Sequence, residues 1–158
     1  MRRPEFIARQ GRHPYGLLGA IVGRVMAEET AADNERAIAM LGIQPTDHVL
    51  DIGTGDGRSL GVLAALAERG VVVGVDTSDV MLTIAVRRNK PLIRTRRVRV
   101  EKSSSDELHV GAHSFDKAMA VHTLYFWNPA KPHFCRSHTC SSPAVGLCSP
   151  FARPKTRW

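Results

Sequence analysis

The sequence predicts one α/β domain built on an open, mostly parallel β-sheet, because short apolar runs alternate with helical patterns along the chain. The runs at 48–52, 71–76, 98–100 and 115–121 are rich in apolar and β-branched residues, which is typical of strands buried on both faces. Amphipathic helical spacing separates the first three runs. Strand–helix units in series form a parallel sheet with right-handed crossovers. A chain of 158 residues is long enough for one domain with its own core.

Two helices are predicted before the first strand, in an amino-terminal segment of residues 1–45. Apolar residues recur every three or four positions over 16–28, which predicts an amphipathic helix. Its polar face lacks the lysine-rich stripe of a membrane-surface helix, so we expect packing instead. The second helix is predicted to start at Thr30, with Asp33 in its first turn, and to end at Gly42.

The core of the domain is predicted to occupy residues 46–130 and to contain two further helices. The first follows the first strand and ends at Gly70, and the second begins after the capping residue Ser78. The apolar faces are formed by Leu60, Leu63, Ala64 and Ala67 in the first helix, and by Met81, Leu82 and Ala85 in the second.

The most informative feature is the glycine loop Gly53-Thr54-Gly55-Asp56-Gly57 between the first strand and its helix. Such a loop lets backbone approach a ligand closely, and it presents amide groups at a helix start. Asp76 ends the second strand, where a carboxylate can accept hydrogen bonds from both hydroxyls of a ribose. The dinucleotide pattern G-x-G-x-x-G needs glycine where Arg58 stands, which argues against an NAD-dependent oxidoreductase. An ATP phosphate loop is also absent, so an adenosine ligand without pyrophosphate is favoured.

Three segments resemble the motifs of class I S-adenosylmethionine-dependent methyltransferases, in the same order along the chain. Residues 49–57 are similar to the first motif, 73–82 to the second and 114–122 to the motif of the fourth strand. The similarity extends over about residues 30–128. It implies a Rossmann-like sheet, S-adenosyl-L-methionine as cofactor, and in-line methyl transfer to a small-molecule acceptor.

The resemblance also implies roles for individual residues. Asp51 would help to hold the ammonium of the cofactor's methionine portion, and Gly53, Thr54, Gly55 and Gly57 would surround that portion. In relatives, a segment such as 1–45 folds over the cofactor as a lid.

The adenosine portion is assigned to residues after the second and third strands. By the same resemblance, Asp76 would hold the ribose hydroxyls, and Thr77 or Met81 would border the adenine. Ser104 stands where many relatives carry an aspartate that contacts the adenine amino group, and Asp106 follows two residues later.

His122 is the candidate catalytic residue, because it follows the fourth strand at the carboxyl edge of the sheet, where ligands collect. A methyl acceptor that carries a proton needs a base, and His122 could act as that base or orient the acceptor. The alternative is a core histidine that is hydrogen-bonded to backbone.

The last segment, residues 131–158, differs in composition from the rest of the chain. It is rich in proline, lacks acidic residues and shows neither helical nor strand periodicity, so we expect it to be irregular and disordered. It carries His133, Cys135, His138, Cys140 and Cys148, but without the short Cys-x-x-Cys spacing of zinc modules, so no metal site is predicted. Members of the family continue here with further strands.

That departure predicts a sheet that is incomplete at its carboxyl-terminal end, in a chain truncated or frame-shifted after about residue 135. The alternative to an active methyltransferase is therefore a non-catalytic remnant. No cysteine precedes Cys135 and no membrane span is evident, so a cytoplasmic location without a membrane partner is expected.

A basic run is the main argument for a nucleic-acid partner and for an RNA methyltransferase. Residues 87–102 contain eight basic side chains and one acidic residue, Glu101. The run has no interleaved aromatic residues on which bases could stack, so a solvated surface is favoured over nucleic-acid binding.

Overall fold

The computed structural model describes residues 31–104, 115–123 and the backbone of 145–148. The helix expected at 16–28 and the lid lie outside these residues. The elements in chain order are α1 (Ala31–Leu41), β1 (Val49–Ile52), α2 (Arg58–Leu66), β2 (Val72–Asp76), α3 (Asp79–Arg88), α4 (Lys90–Arg94), β3 (Val98–Lys102), β4 (Lys117–Val121) and β5 (Val145–Cys148).

The strands form one sheet in the order β3-β2-β1-β4-β5, in which the first four are parallel. This confirms the predicted α/β class with an open, mostly parallel sheet. Ile52 at the end of β1 pairs with Val75 on one side and with Ala120 on the other. The carboxyl ends of β1, β2 and β4 therefore lie side by side, and the loops that follow them share one edge of the sheet.

Apolar side chains cover both faces of the sheet, as expected for parallel strands. On one face, alternate strand residues pack against the apolar stripes of α1 and α2. On the other face, a second cluster includes Leu50, Ile52, Val73, Val75 and Phe115. The first cluster is formed by Ala37, Ile38, Leu41, Val49, Leu60, Leu63, Ala64, Ala67, Val72, Val98, Met119 and Val121.

The caps and ends of the helices agree with the sequence at two positions and differ at one. Gly42 follows α1 with a φ of 56°, and the Ser78 hydroxyl accepts a hydrogen bond from Met81 N at the start of α3. The first of the two predicted core helices ends at Leu66 and not at Gly70. Gly70 instead packs so closely on the carbonyl of Asp47 that a Cβ would collide with it.

Other boundaries shift by two residues, and one helix was not predicted. The third strand continues to Lys102, and the fourth begins at Lys117, after the buried Phe115. The short helix α4 lies within the basic run that the sequence analysis treated as surface. Its Pro91 is compatible with a helix because the first turn needs no backbone N–H from that residue.

Residues Val145–Cys148 correct the prediction that the segment 131–158 is irregular throughout. They form β5, which pairs antiparallel with β4 in the register Ala118↔Cys148. The four residues are too few to show strand periodicity, and their pairing uses the backbone groups that β4 presents on its outer side. The other residues of that segment lie outside the part of the chain described.

A helix needs about 20 predominantly apolar residues to cross a bilayer. None of the helices in the described ranges combines that length with that composition.

Candidate functional site

The glycine loop begins where β1 ends and is fixed to the neighbouring strand. The backbone N–H groups of Gly53 and Thr54 both donate to the carbonyl of Val75, at 2.8 and 3.0 Å. On the other side, the Thr123 side chain after β4 lies against Gly53, where a Cβ would collide with its methyl group. The loop is therefore held between the carboxyl ends of β2 and β4.

Three glycines in this loop adopt positive φ values, which side chains disfavour. Gly53 has a φ of 77°, Gly55 of 56° and Gly57 of 72°. A Cβ on Gly57 would collide with Ala85 and Asn89, whereas a Cβ on Gly55 would meet no atom of the described residues within 4 Å. Gly55 thus borders open space, and the loop can receive a ligand at this point.

Asp76 is joined to the glycine loop by a hydrogen bond. One carboxylate oxygen accepts from Gly55 N at 2.9 Å, and the other accepts from Ser78 N at 2.9 Å. Each oxygen has a second acceptor position, so the carboxylate can still receive two hydroxyl donors. The sequence predicted Asp76 at the end of the second strand, but it did not predict this hydrogen bond to the loop.

Asp51 lies beneath the loop and is only 2% exposed. Its carboxylate accepts a hydrogen bond from the Ser59 hydroxyl at 2.6 Å. Burial raises the pKa of Asp51 from 3.8 to about 6, the Asp76 charge adds to this rise, and the Ser59 and Thr54 hydroxyls oppose it. A positive group that arrives beside Asp51 would relieve this burial cost.

Thr54 contributes a buried hydroxyl to the same region. The residue is 7% exposed, and its Oγ1 makes no well-aligned hydrogen bond within the described residues. Oγ1 nevertheless lies close enough to Asp51 to lower the pKa of the Asp51 carboxyl. A Cβ on Gly74 of β2 would lie only 2.9 Å from Thr54 Oγ1, so the strand needs glycine at this position. A buried hydroxyl without a partner is uncommon, and a ligand with a polar group could satisfy it.

The candidate adenine residues are distributed around Asp76. Thr77 follows it and is exposed, whereas Met81 is 4% exposed and packs from α3. Ser103 N donates to the carbonyl of Asp76 at 3.1 Å, which places the half-buried Ser104 next to this strand end. Asp106 lies outside the described residues.

His122 is not a buried core histidine. Its side chain is 32% exposed, and its Nε2 lies 2.8 Å from the Asp33 carboxylate of α1. The residue has a φ of 56°, which is unusual for a residue other than glycine. The sequence analysis noted Asp33 as part of a helix start and missed this pairing across 89 positions.

Three members of the basic run have partners within the chain. Arg88 contacts Asp56, Lys102 contacts Asp79, and Arg97 donates to the carbonyls of Ala64, Ala67 and Gly70. Buried Asn89 lies beside Arg88 and also contacts the glycine loop. The sequence did not single out Arg88 and Asn89, because polar residues at a helix end are most often solvated.

Among the residues that the structure describes, no group of three or more His, Cys, Asp or Glu side chains is arranged to hold a metal ion. The side chains of the histidines and cysteines from His133 onward lie outside the described part of the chain.

Comparison with known proteins gives one family. Residues 49–139 match the family described as "Methyltransferase domain". The uncharacterized methyltransferase YdaC of Bacillus subtilis (strain 168) is 32% identical over 108 residues, which are 68% of this chain and 58% of YdaC. The chain thus spans little more than half the length of this relative.

Solved structures show the same fold. An S-adenosylmethionine-dependent methyltransferase from Aquifex aeolicus aligns with a TM-score of 0.52 and 25% identity, over 60% of this chain and 50% of that one. A chain of the "Complex between the Haloferax volcanii Trm112 methyltransferase activator and the putative methyltransferase" aligns with a TM-score of 0.58 and 21% identity, over 80% of this chain and 50% of that one.

Proposed function

Because the chain belongs to the S-adenosylmethionine-dependent methyltransferase domain family, we propose that it binds S-adenosyl-L-methionine at the glycine loop and transfers its methyl group to a small molecule. The observation that carries the proposal is the hydrogen bond from Gly55 N to the Asp76 carboxylate, at one edge of the sheet. The buried Asp51 lies at the same edge. Ligands of open α/β sheets bind at this edge.

The residues present fit the parts of such a ligand. Asp76 retains acceptor positions for two ribose hydroxyls, and Gly55 leaves room for close approach. Buried Asp51 supplies a negative charge for the ammonium group, and the Thr54 hydroxyl offers a polar contact. Thr77, Met81, Ser104 and Asp106 remain our candidates for the adenine side.

When bound, S-adenosylmethionine supplies a methyl group that is already activated by its sulfonium. The protein's contribution is then to position the reactants in line and to exclude water. We place the acceptor beside His122, since Thr123 directly after it packs on Gly53. The Asp33 carboxylate accepts a hydrogen bond from Nε2 of His122 and so fixes the orientation of the imidazole, which acts as a base or orients the acceptor.

A small-molecule acceptor is preferred to RNA because of where the basic residues lie. Arg94, Arg96 and Arg97 precede β3, at the edge of the sheet opposite the glycine loop, and Arg97 is engaged with carbonyl groups. Arg88 lies instead at the glycine loop, where it pairs with Asp56, so the basic run is divided between the two edges of the sheet and does not form one surface for RNA. We also propose that the protein acts in the cytoplasm, on the basis of cysteine usage in its first 134 residues.

Binding of the reaction product tests the proposal without knowledge of the acceptor. We expect S-adenosylhomocysteine at about 1 mM to raise the melting temperature, because a ligand that binds only the native state stabilises it. NADH at the same concentration should leave it unchanged. A shift with NADH and none with S-adenosylhomocysteine would support an oxidoreductase, and no shift with either would support a non-catalytic remnant.

Asp76→Ala is predicted to weaken S-adenosylhomocysteine binding by about 1–3 kcal/mol, because charge-assisted hydrogen bonds to the ribose are lost. The control is Asp116→Ala: Asp116 also accepts a backbone N–H, from His48 at 2.7 Å, but at the amino end of β4. Isothermal calorimetry compares the two variants. Equal affinities would mean that Asp76 is not the ribose ligand.

A further inference from the structure

The carboxyl end of α3 holds the glycine loop through Arg88. Its Nη2 lies 2.8 Å from the Asp56 carboxylate, and its Nε donates to the carbonyl of the same residue at 3.1 Å. The Asp56 side chain is 7% exposed, and it also accepts from Arg58 N at 3.1 Å. One guanidinium thus binds both the side chain and the backbone of a single loop residue, from 32 positions away.

The next residue, Asn89, makes a second attachment to the loop. It is 3% exposed, and its Nδ2 donates to the carbonyls of Gly57 and Ala85, at 2.9 and 3.0 Å. Gly57 has a φ of 72°, and a Cβ there would collide with Ala85 and Asn89. The loop and the end of α3 therefore fit closely at this point.

The amino end of α3 is connected to the same loop. Asp76 bonds Gly55 N with one oxygen and Ser78 N with the other, and Ser78 caps α3. The helix is thus linked to Gly55 at its beginning and to Asp56 and Gly57 at its end. Three consecutive loop residues are positioned by one helix.

This attachment has a consequence for binding. A loop with three glycines at positive φ has many conformations available when it is unrestrained. If only one of them binds ligand, the apparent affinity falls with the fraction of molecules in that conformation. Contacts that hold the loop in one conformation therefore increase affinity without touching the ligand.

We propose that Arg88 and Asn89 are positioning residues that hold the glycine loop in its ligand-binding conformation. The inference rests on the proposed function, because it requires that the loop surrounds the methionine portion of the ligand. It assigns to these two residues a role in binding that acts through the loop.

Arg88→Met tests the role, since it keeps the aliphatic stem and removes every donor. Arg97→Met is the matched control, because Arg97 also donates to three carbonyls, at 3.0, 2.8 and 2.6 Å, but at the opposite edge of the sheet. Arg88→Lys keeps the charge without the paired donors and serves as a milder variant. Thermal melts establish that each variant is folded.

Calorimetry with two ligands separates positioning from general destabilisation. For Arg88→Met we expect about tenfold weaker binding of S-adenosylhomocysteine, and a change of at most about threefold for 5′-methylthioadenosine, which lacks the amino-acid portion. Arg97→Met should bind both ligands like the wild type. Unchanged binding in Arg88→Met, equal losses for both ligands, or an equal loss in Arg97→Met would overturn the inference. Absence of binding by the wild-type protein would instead contradict the proposed function beneath it.

Discussion

Asp51→Asn is expected to make the ligand-free protein more stable at neutral pH and to weaken its binding of S-adenosylhomocysteine. Burial raises the pKa of Asp51 from 3.8 to about 6, so the folded state binds the proton more tightly than the unfolded state. The protonated Asp51 carboxyl therefore stabilises the folded state fully below pH 3.8, and this stability is lost as pH rises through about 6. The total loss is about 3 kcal/mol, and asparagine avoids it because it stays neutral.

Urea unfolding at about pH 4 and about pH 7 measures this effect. The stability of the variant relative to wild type should increase by about 2 kcal/mol between the two conditions. Ser59→Ala is a second variant: loss of the hydroxyl that donates to Asp51 raises the pKa of its carboxyl further, so the fall in stability moves to higher pH. A constant difference between Asp51→Asn and wild type would show that Asp51 does not titrate in this range.

The same substitution should weaken S-adenosylhomocysteine binding at about pH 7 by about 2 kcal/mol, because an ammonium group loses a buried carboxylate partner. Stability and affinity therefore change in opposite directions. A variant that gained stability but bound equally well would place the ammonium elsewhere.

Gly55→Val should abolish measurable S-adenosylhomocysteine binding, with a loss of at least about 100-fold. The valine side chain would extend into the open space beside the loop, where no described atom lies within 4 Å, and a β-branched residue is strained at a φ of 56°. Calorimetry or a thermal-shift titration measures the loss.

Gly42→Val is the control that separates the two effects of Gly55→Val, which are blocking of the ligand and strain in the backbone. Gly42 has the same φ of 56°, and a Cβ there would also meet no described atom within 4 Å, but it follows α1, away from the glycine loop. Both variants should therefore lose similar stability, and only Gly55→Val should lose ligand binding. Similar affinities in the two variants would show that Gly55 does not border the ligand.

Features encoded by local pattern were predictable from the sequence. The strands β1 and β2 appear as apolar runs, and the glycine loop and Asp76 stand directly at their ends. Topology then brings these residues together, because parallel strands share one carboxyl edge. Ser78 as a helix cap and Gly42 as a helix end follow from equally local rules.

Features that depend on long-range contacts were not predictable in the same way. Arg88 resembles any basic residue of a solvated surface until α3 is packed against the loop, where it meets Asp56. Asp33 and His122 are 89 positions apart, and neither residue type predicts the other. The strand Val145–Cys148 is defined by its pairing with β4 and by no periodicity of its own.

The central claim is that S-adenosylmethionine lies at the carboxyl edge of β1 and β2. A crystal structure of the protein with S-adenosylhomocysteine tests it most directly. We predict density across the glycine loop, with the ribose hydroxyls bonded to Asp76 and the ammonium beside Asp51. Density for the ligand at another site, or none at a concentration that saturates binding in solution, would contradict the claim.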